Sequence, residues 1–426
     1  MIRILRYGEV SNQEVFSRAQ PKMDVTGIVS QIIADVKANG DEAIKAYTEK
    51  FDRVRLDSLA VSDEEIDAAV RAADPEFLRV LKIAAENIRA FHSRQKRNSF
   101  ILNERPGVVM GQKILPIQRA GVYVPGGTAP LASTVLMDVI PARIAGCPEI
   151  YMATPPGPDG KVNGAILCAA REAGVTRVFR VGGAQAIAAL AYGTATVPKV
   201  DKIVGPGNAF VEEAKRQVFG HVAIDMIAGP SEILIVADGK ADPAHAAADL
   251  LSQAEHDRLS SAVLVTDSME LALKVQAEIE KQLPRLPRRE TARISIDENG
   301  KIIVAEDLRS AIDIANEIAP EHLELCVDSP FDWLDGIKHA GSVFLGRDCP
   351  EALGDYLAGP NHTLPTIGSA RFSSPLSVDD FIKKTQYTYF SRDALQAAAK
   401  DVALFARTEG LEAHARSVLI RMEEDV

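Results

Sequence analysis

The chain has 426 residues, 46% of them apolar and 25% charged, the balance of an ordinary globular protein, with length enough for roughly two to four domains. A net charge of −11, an aromatic content of 5% and the lack of Lys/Arg blocks exclude the usual nucleic-acid binder, whose phosphate contacts require a basic face. No apolar run approaches the ~18 residues that span a bilayer, and Met1–Gly8 lacks the apolar core of a secretory signal, so a cytoplasmic protein with no membrane partner is expected.

Along the first hundred residues Ile28, Ile32, Ile33, Val36, Ile44 and Tyr47 recur at helical intervals, with Gly40-Asp41 predicting a break between two helices. Ser62-Asp-Glu-Glu65 is a capping sequence and opens a helical stretch that runs with interruptions to about Gln95. From about residue 115 the rhythm changes. Strands are predicted at 121–124, 150–154, 178–181, 203–204 and 233–236, with helices over 132–146, 162–173, 184–192 and 208–219. A second series follows, with strands near 262–266, 302–304, 323–327 and 341–345 and helices near 241–255, 268–282, 307–317 and 331–339. The tail from about 377 reads as helical and charged. Strands alternating with helices imply parallel sheets covered on both faces, and two such series suggest a duplication.

The strands of the first series run into glycine- and proline-rich turns: Pro125-Gly-Gly127, Pro155-Pro-Gly157, Gly182-Gly183, Gly205-Pro-Gly-Asn208 and Gly229-Pro-Ser231. Ligands of open α/β sheets bind beyond the carboxyl ends of strands, where glycine lets the backbone approach them and helix N-termini favour phosphate. A nucleotide or dinucleotide fits this layout, although each turn by itself is equally an ordinary tight βα connection. The Gly-x-Gly-x-x-Gly fingerprint is absent: Gly205-Pro-Gly207 comes nearest, with Phe210 at the third glycine position. Cys147, Cys168, Cys326 and Cys349 show no Cys-x-x-Cys spacing and read as reduced thiols.

Only eight histidines are present, and several lie close to carboxylates or an amide. Neutral imidazole is both the commonest metal ligand and the usual base near pH 7. Gln253 and His256 share one face at a helix end, which suits either a common ligand or a simple polar terminus. Glu321-His322 follows Pro320; neighbours on an extended chain point apart, so the pair meets in one pocket only if a turn intervenes. Asp355 and His362 stand on one glycine-flanked loop, a plausible chelate. Glu409 and His414 lie about 140° apart on a helical wheel and share a site only if a helix starts at Gly410. His92, His221, His245 and His339 have no partner pattern.

Read jointly, the chain resembles the histidinol dehydrogenases along nearly its whole length. The resemblance rests on Gly121-Val-Tyr-Val-Pro-Gly-Gly-Thr-Ala-Pro130, Gly182-Gly-Ala-Gln-Ala-Ile187, Val204-Gly-Pro-Gly-Asn208, Ala228-Gly-Pro-Ser-Glu232, Gln253-Ala-Glu-His-Asp257, Pro320-Glu-His-Leu323 and Gly359-Pro-Asn-His362. It implies an α/β fold of two related incomplete Rossmann-like parallel-sheet units with small helical terminal domains. The implied boundaries are an N-terminal segment 1–16, a first α/β domain 17–123 plus 237–376, a second 124–236, and a C-terminal domain 377–426 swapped in a homodimer. It implies zinc, one per subunit, on Gln253, His256, Asp355 and His414, with Glu321 and His322 as the acid–base pair. Substrate contacts are implied for Ser231, His362 and Glu409 together with the metal ligands and His322, and NAD contacts for Tyr123, Gln185 and Asn208. The implied reaction is the four-electron oxidation of L-histidinol to L-histidine through histidinal with two NAD+, which is the last step of histidine biosynthesis. Three rival readings are a related zinc and NAD dehydrogenase of another small alcohol, such as sulfopropanediol, a zinc hydrolase that turns over without NAD+, and a catalytically silent zinc-stabilised scaffold, against which the intact acid–base residues speak.

Overall fold

The computed structural model describes residues 1–18, 24–126 and 130–422. Gly127, Thr128 and Ala129 of the first glycine-rich turn, and residues 423–426 of the tail, lie outside the described residues. The chain forms two compact units, one of residues 1–95 and 117–381, the other of residues 96–116 and 382–426.

The first unit is built on two all-parallel sheets. One has the strand order Arg3–Arg6, Lys301–Val304, Ser261–Thr266, Glu232–Ala237, His322–Cys326, Ser342–Leu345. The other runs Arg177–Arg180, Glu149–Thr154, Arg119–Tyr123, Lys202–Val204, Ala223–Ile224. Numbered from Glu232 and from Arg119 respectively, both sheets have the order 3-2-1-4-5, and the first adds Arg3–Arg6 at its edge. Two doubly wound sheets of identical order bear out the duplicated Rossmann-like expectation.

Parallel strands covered on both faces bury every side chain, so they read as continuous apolar runs. In Glu232–Ala237, Ile233, Ile235 and Ala237 enter one core while Leu234 and Val236 enter the opposite one. In Glu149–Thr154, Ile150 and Met152 face one core and Tyr151 and Ala153 the other. The long N-terminal helix Thr26–Phe51 breaks at Gly40, whose φ of 53° and ψ of −129° are not helical. Ser62 makes a full capping box with Glu65 at the start of Asp63–Ala72, as its sequence predicts.

Three elements depart from the sequence expectation. Arg3–Arg6 is a strand, stabilised by its parallel partner Lys301–Val304 rather than by any local pattern. The tail opens not as a helix but as the nine-residue strand Ile382–Phe390, antiparallel to Val108–Pro116, which in turn pairs with Phe100–Leu102. Its lysines suggest a solvated helix, yet Thr385, Tyr387 and Tyr389 alternate at the period of a strand. The helices Arg392–Thr408 and Glu412–Leu419 follow it. Finally, the helix expected over 331–339 is confined to Pro330–Leu334.

Gly205 ends the strand Lys202–Val204 with φ of 113°, and a Cβ there would stand 2.1 Å from the carbonyl oxygen of Tyr123. Gly205→Ala is expected to destabilise the first unit by at least about 1–3 kcal/mol, the usual size of such backbone strain. Denaturant unfolding that placed the variant within experimental error of the parent would refute this account of the turn.

Candidate active site

The helix Leu308–Ile318 stops at Ala319, which adopts a left-handed conformation with φ of 49°, and Pro320 prevents its continuation. This turn delivers Glu321 and then His322 at the very start of the strand His322–Cys326. Parallel pairing sets His322 opposite Ile233, so the peptide of Glu232 reaches both members of the pair. Its N–H donates to Glu321 Oε2 at 2.8 Å, and its carbonyl oxygen lies 3.0 Å from His322 Nδ1. A carbonyl can only accept, so Nδ1 carries the proton and Nε2 keeps its lone pair. Glu321 Oε2 and His322 Nδ1 are 3.6 Å apart. Both side chains are buried, so the turn resolves the opposition expected of neighbours on an extended strand.

Burial governs the charges here. It pulls His322 down to about 4 and pushes Glu321 well above the usual carboxyl range. Glu351 is raised to about 8, by burial first and then by the neighbouring Asp355. His322 is therefore a neutral base at pH 7, and its 3.7 Å approach to Glu351 is a contact between uncharged groups. Asp355 behaves differently: burial works against its charge, but His362, His322 and His256 hold it well below the usual range. His362 is raised correspondingly, its burial outweighed by Asp355, whose Oδ1 lies 3.2 Å from His362 Nδ1. The other ring nitrogen of His362 is 3.1 Å from Thr134 Oγ1.

His322, Glu351 and Asp355 bring ligand atoms within 4.8 Å of one another, a nitrogen and two oxygens fit for a divalent metal. Gln253, in the last turn of the helix Pro243–Ala254, is buried with its Oε1 lacking a protein partner, an acceptor poised for a ligand. His256 follows that helix and is exposed.

Three cavities meet these groups. Ser231, Glu321 and His362 line one of about 50 Å³. His322 and His362 line another of about 300 Å³, together with Phe344. Tyr123, Gln185, Asn208, His256 and Arg288 line a cleft of about 670 Å³. Tyr123 precedes that cleft at the carboxyl end of its strand, and its hydroxyl accepts from the Gly183 N–H at 3.1 Å. Asn208 Oδ1 caps the helix Ala209–Val218 by accepting from the N–H groups of Phe210 and Val211. Gln185 is buried, and its Oε1, like that of Gln253, has no hydrogen-bond partner among the described residues.

Ten of the twelve expected site residues thus lie in the first unit. Glu409 and His414 belong to the second, where Glu409 ends the helix Arg392–Thr408 and His414 sits in Glu412–Leu419, both exposed. Gly410, with φ of 77°, separates them, and the second helix starts at Glu412 rather than at Gly410. Sequence reasoning missed Glu351, Glu232, Thr134 and Lys215. None stands beside a histidine; only Glu351, four residues before Asp355, had a spacing that could have marked it.

Lys215 is wholly buried, with Nζ 2.8 Å from Asp225 Oδ1, 3.5 Å from Glu212 and 3.0 Å from the Gly205 carbonyl oxygen. Asp225 in turn accepts from the Gly205 N–H and Glu212 from the Ala228 N–H, both at 2.8 Å. This cluster braces the two turns that carry Asn208 and Ser231. Lys215→Met leaves buried carboxylates without their cation and is expected to cost about 3–5 kcal/mol of stability; an unfolding midpoint close to the parent's would remove the bracing role.

The histidinol dehydrogenase family profile matches residues 16–422. The chain is 54% identical to the histidinol dehydrogenase of Geobacillus kaustophilus over 396 residues, covering 93% of each, and 56% identical to that of Bacillus subtilis over 393 residues, covering 92% of each. The crystal structure of histidinol dehydrogenase from Elizabethkingia anophelis superposes with a TM-score of 0.93 at 40% identity, over 99% of this chain and 98% of that one. By motif, by whole-length identity and by fold, the chain belongs to the histidinol dehydrogenase family.

Proposed function

We propose that the protein oxidises L-histidinol to L-histidine through histidinal, with two NAD+ and one zinc ion per subunit, as the last step of histidine biosynthesis in the cytoplasm. The observation that carries this reading is the buried Glu321–His322 pair, held by the backbone N–H and C=O of the single residue Glu232, with the His322 Nε2 lone pair free beside His362 and Asp355. Among the described residues, no helix is long and apolar enough to cross a membrane.

Gln253, His256 and Asp355 would hold the zinc, together with the partner subunit's His414; the partnerless Oε1 of Gln253 supports that assignment. When bound, zinc would orient the amino and imidazole nitrogens of the substrate, and NAD+ would accept the hydride of each oxidation. Tyr123, Gln185 and Asn208 would hold the nicotinamide cofactor in their shared cleft, where the Gln185 acceptor is equally free. Ser231 and His362, with the partner subunit's Glu409, would grip the substrate, which the cavity they share with Glu321 supports. A homodimer would also cover Phe100, Ile101, Leu404 and Phe405 of the second unit, which are 49%, 63%, 68% and 69% exposed.

In this scheme His322 takes the hydroxyl proton of histidinol during the first oxidation. Histidinal stays in the site. Once His322 has released that proton to solvent, it takes one from the water that adds to the carbonyl carbon, with Glu321 beside it helping to activate that water. The carbonyl oxygen gains a proton to complete the gem-diol. The resulting gem-diol loses its carbon-bound hydride and a proton to give the acid. Retention of the aldehyde between the two stages keeps a reactive species from solvent.

His322→Asn is expected to lower kcat by roughly 10²–10⁴-fold, the usual contribution of a general base, with zinc content and the KM for NAD+ unchanged. Loss of zinc in this variant would overturn the base assignment. For the parent enzyme, two NADH per L-histidinol are expected, with activity abolished by chelator and recovered on zinc readdition. Zinc-loaded protein that formed no NADH from histidinol would overturn the substrate assignment.

A further inference from the structure

Glu232 binds both members of the acid–base pair through its backbone, and its carboxyl group lies close enough to Glu321 to help raise it, yet the proposed reaction leaves that side chain without a step of its own. That side chain is only 7% exposed. Its carboxylate accepts from Arg18 Nη1 at 2.7 and 3.0 Å and, on the other side, from the Ile367 N–H at 3.2 Å. Ile367 lies five residues beyond His362, in the left-handed region with φ of 53°. Glu232 therefore joins three segments: its own strand, the loop that follows His362, and the N-terminal segment.

Arg18 does not reach this point by chance. Arg3–Arg6 is zipped into the six-stranded sheet beside Lys301–Val304. The helix Asn12–Phe16 then ends on Lys301, which is 4% exposed and donates its Nζ to the carbonyl oxygens of Glu14, Val15 and Ser17 at 3.2, 3.0 and 2.6 Å, and to Ser17 Oγ at 2.9 Å. A cation at a helix C-terminus satisfies orphaned carbonyls and the helix dipole together. The chain is thus fixed at Ser17, one residue before Arg18.

We infer that the Arg18–Glu232 ion pair is a positioning device for the Glu321–His322 pair, through which the N-terminal segment supports the chemistry. This rests on the proposed roles of Glu321 and His322. A buried carboxylate deprived of its cation must take up a proton or move toward water. Either change loosens the peptide whose N–H meets Glu321 Oε2 and whose carbonyl fixes the His322 tautomer. A shift there of a fraction of an ångström misaims Nε2, whereas substrate and cofactor contacts made by other segments persist.

The test compares Arg18→Ala, Arg18→Lys and Glu232→Gln with the parent, using zinc-loaded full-length enzyme, L-histidinol and NAD+. We expect Arg18→Ala to lower kcat roughly 10- to 100-fold, the scale of a small misalignment, with the KM for NAD+ and zinc content nearly unchanged. Arg18→Lys and Glu232→Gln should lose less, and millimolar guanidinium chloride should restore part of the Arg18→Ala turnover where equal sodium chloride does not. A second readout needs no turnover: in ¹⁵N-histidine-labelled enzyme, the His322 ring, identified by its loss in His322→Asn, should show a protonated Nδ1 in the parent and a mixture of tautomers in Arg18→Ala. Parent-like kcat and ring signals in Arg18→Ala would overturn the inference, as would a kcat loss relieved by neither guanidinium nor lysine. Failure of the parent itself on histidinol would overturn the proposed reaction instead, and the ring signals would still decide the role of Arg18.

Discussion

The peptide of Glu232 is the point on which the candidate active site depends. One N–H and one C=O, set by the parallel register of Glu232–Ala237 against His322–Cys326, fix a carboxyl and an imidazole at once. A side chain could perform the same orientation, as a carboxylate does in hydrolytic triads. A backbone carbonyl does so without adding a charge to a region already dense in carboxyl groups. Rigid sheet geometry thereby becomes the tautomer of a base.

Charge density is the second organising feature. Behind His322 lie Glu351, Glu324 and Asp249, with Glu324 raised to about 9 and Asp249 to about 6, in each case chiefly by burial. Glu324 Oε1 accepts from the Glu351 N–H at 2.7 Å, which seats Glu351 against the imidazole. Ionised carboxyls this deep would repel one another, and protonation lets them share hydrogen bonds. Around Lys215 two carboxyl groups are instead packed against a buried cation, and the cluster braces a turn. The molecule thus uses two solutions to the same electrostatic problem.

The duplicated sheets are used at opposite ends. Tyr123 and Asn208 lie at the carboxyl ends of strands 1 and 4 of the five-stranded sheet, the switch point where ligands of such sheets bind. Glu232 and His322 instead begin strands 1 and 4 of the six-stranded sheet. The same topological position carries the cleft of Tyr123 and Asn208 at one edge and the Glu321–His322 pair at the other.

Most of the architecture was legible in the chain by itself. Buried parallel strands are apolar on both faces, so strands such as 150–154 and 233–236 stand out, and a glycine-rich turn follows the first and precedes the second. The capping box at Ser62 and the break at Gly40 are local and could be read directly. The motif residues pointed to the site, including Gln253, Asp355 and His362. What escaped was everything whose cause is distant in sequence. Arg3–Arg6 is a strand because Lys301–Val304 lies beside it, and Ile382–Phe390 because Val108–Pro116 does. Thr134 and Arg18 carry no local signature, since an isolated polar residue looks alike whether it faces solvent or a buried imidazole. Periodicity and turn chemistry are properties of neighbours along the chain, and they determined the elements. Burial, tautomer and ionisation depend on neighbours in space, and only the tertiary structure decided them.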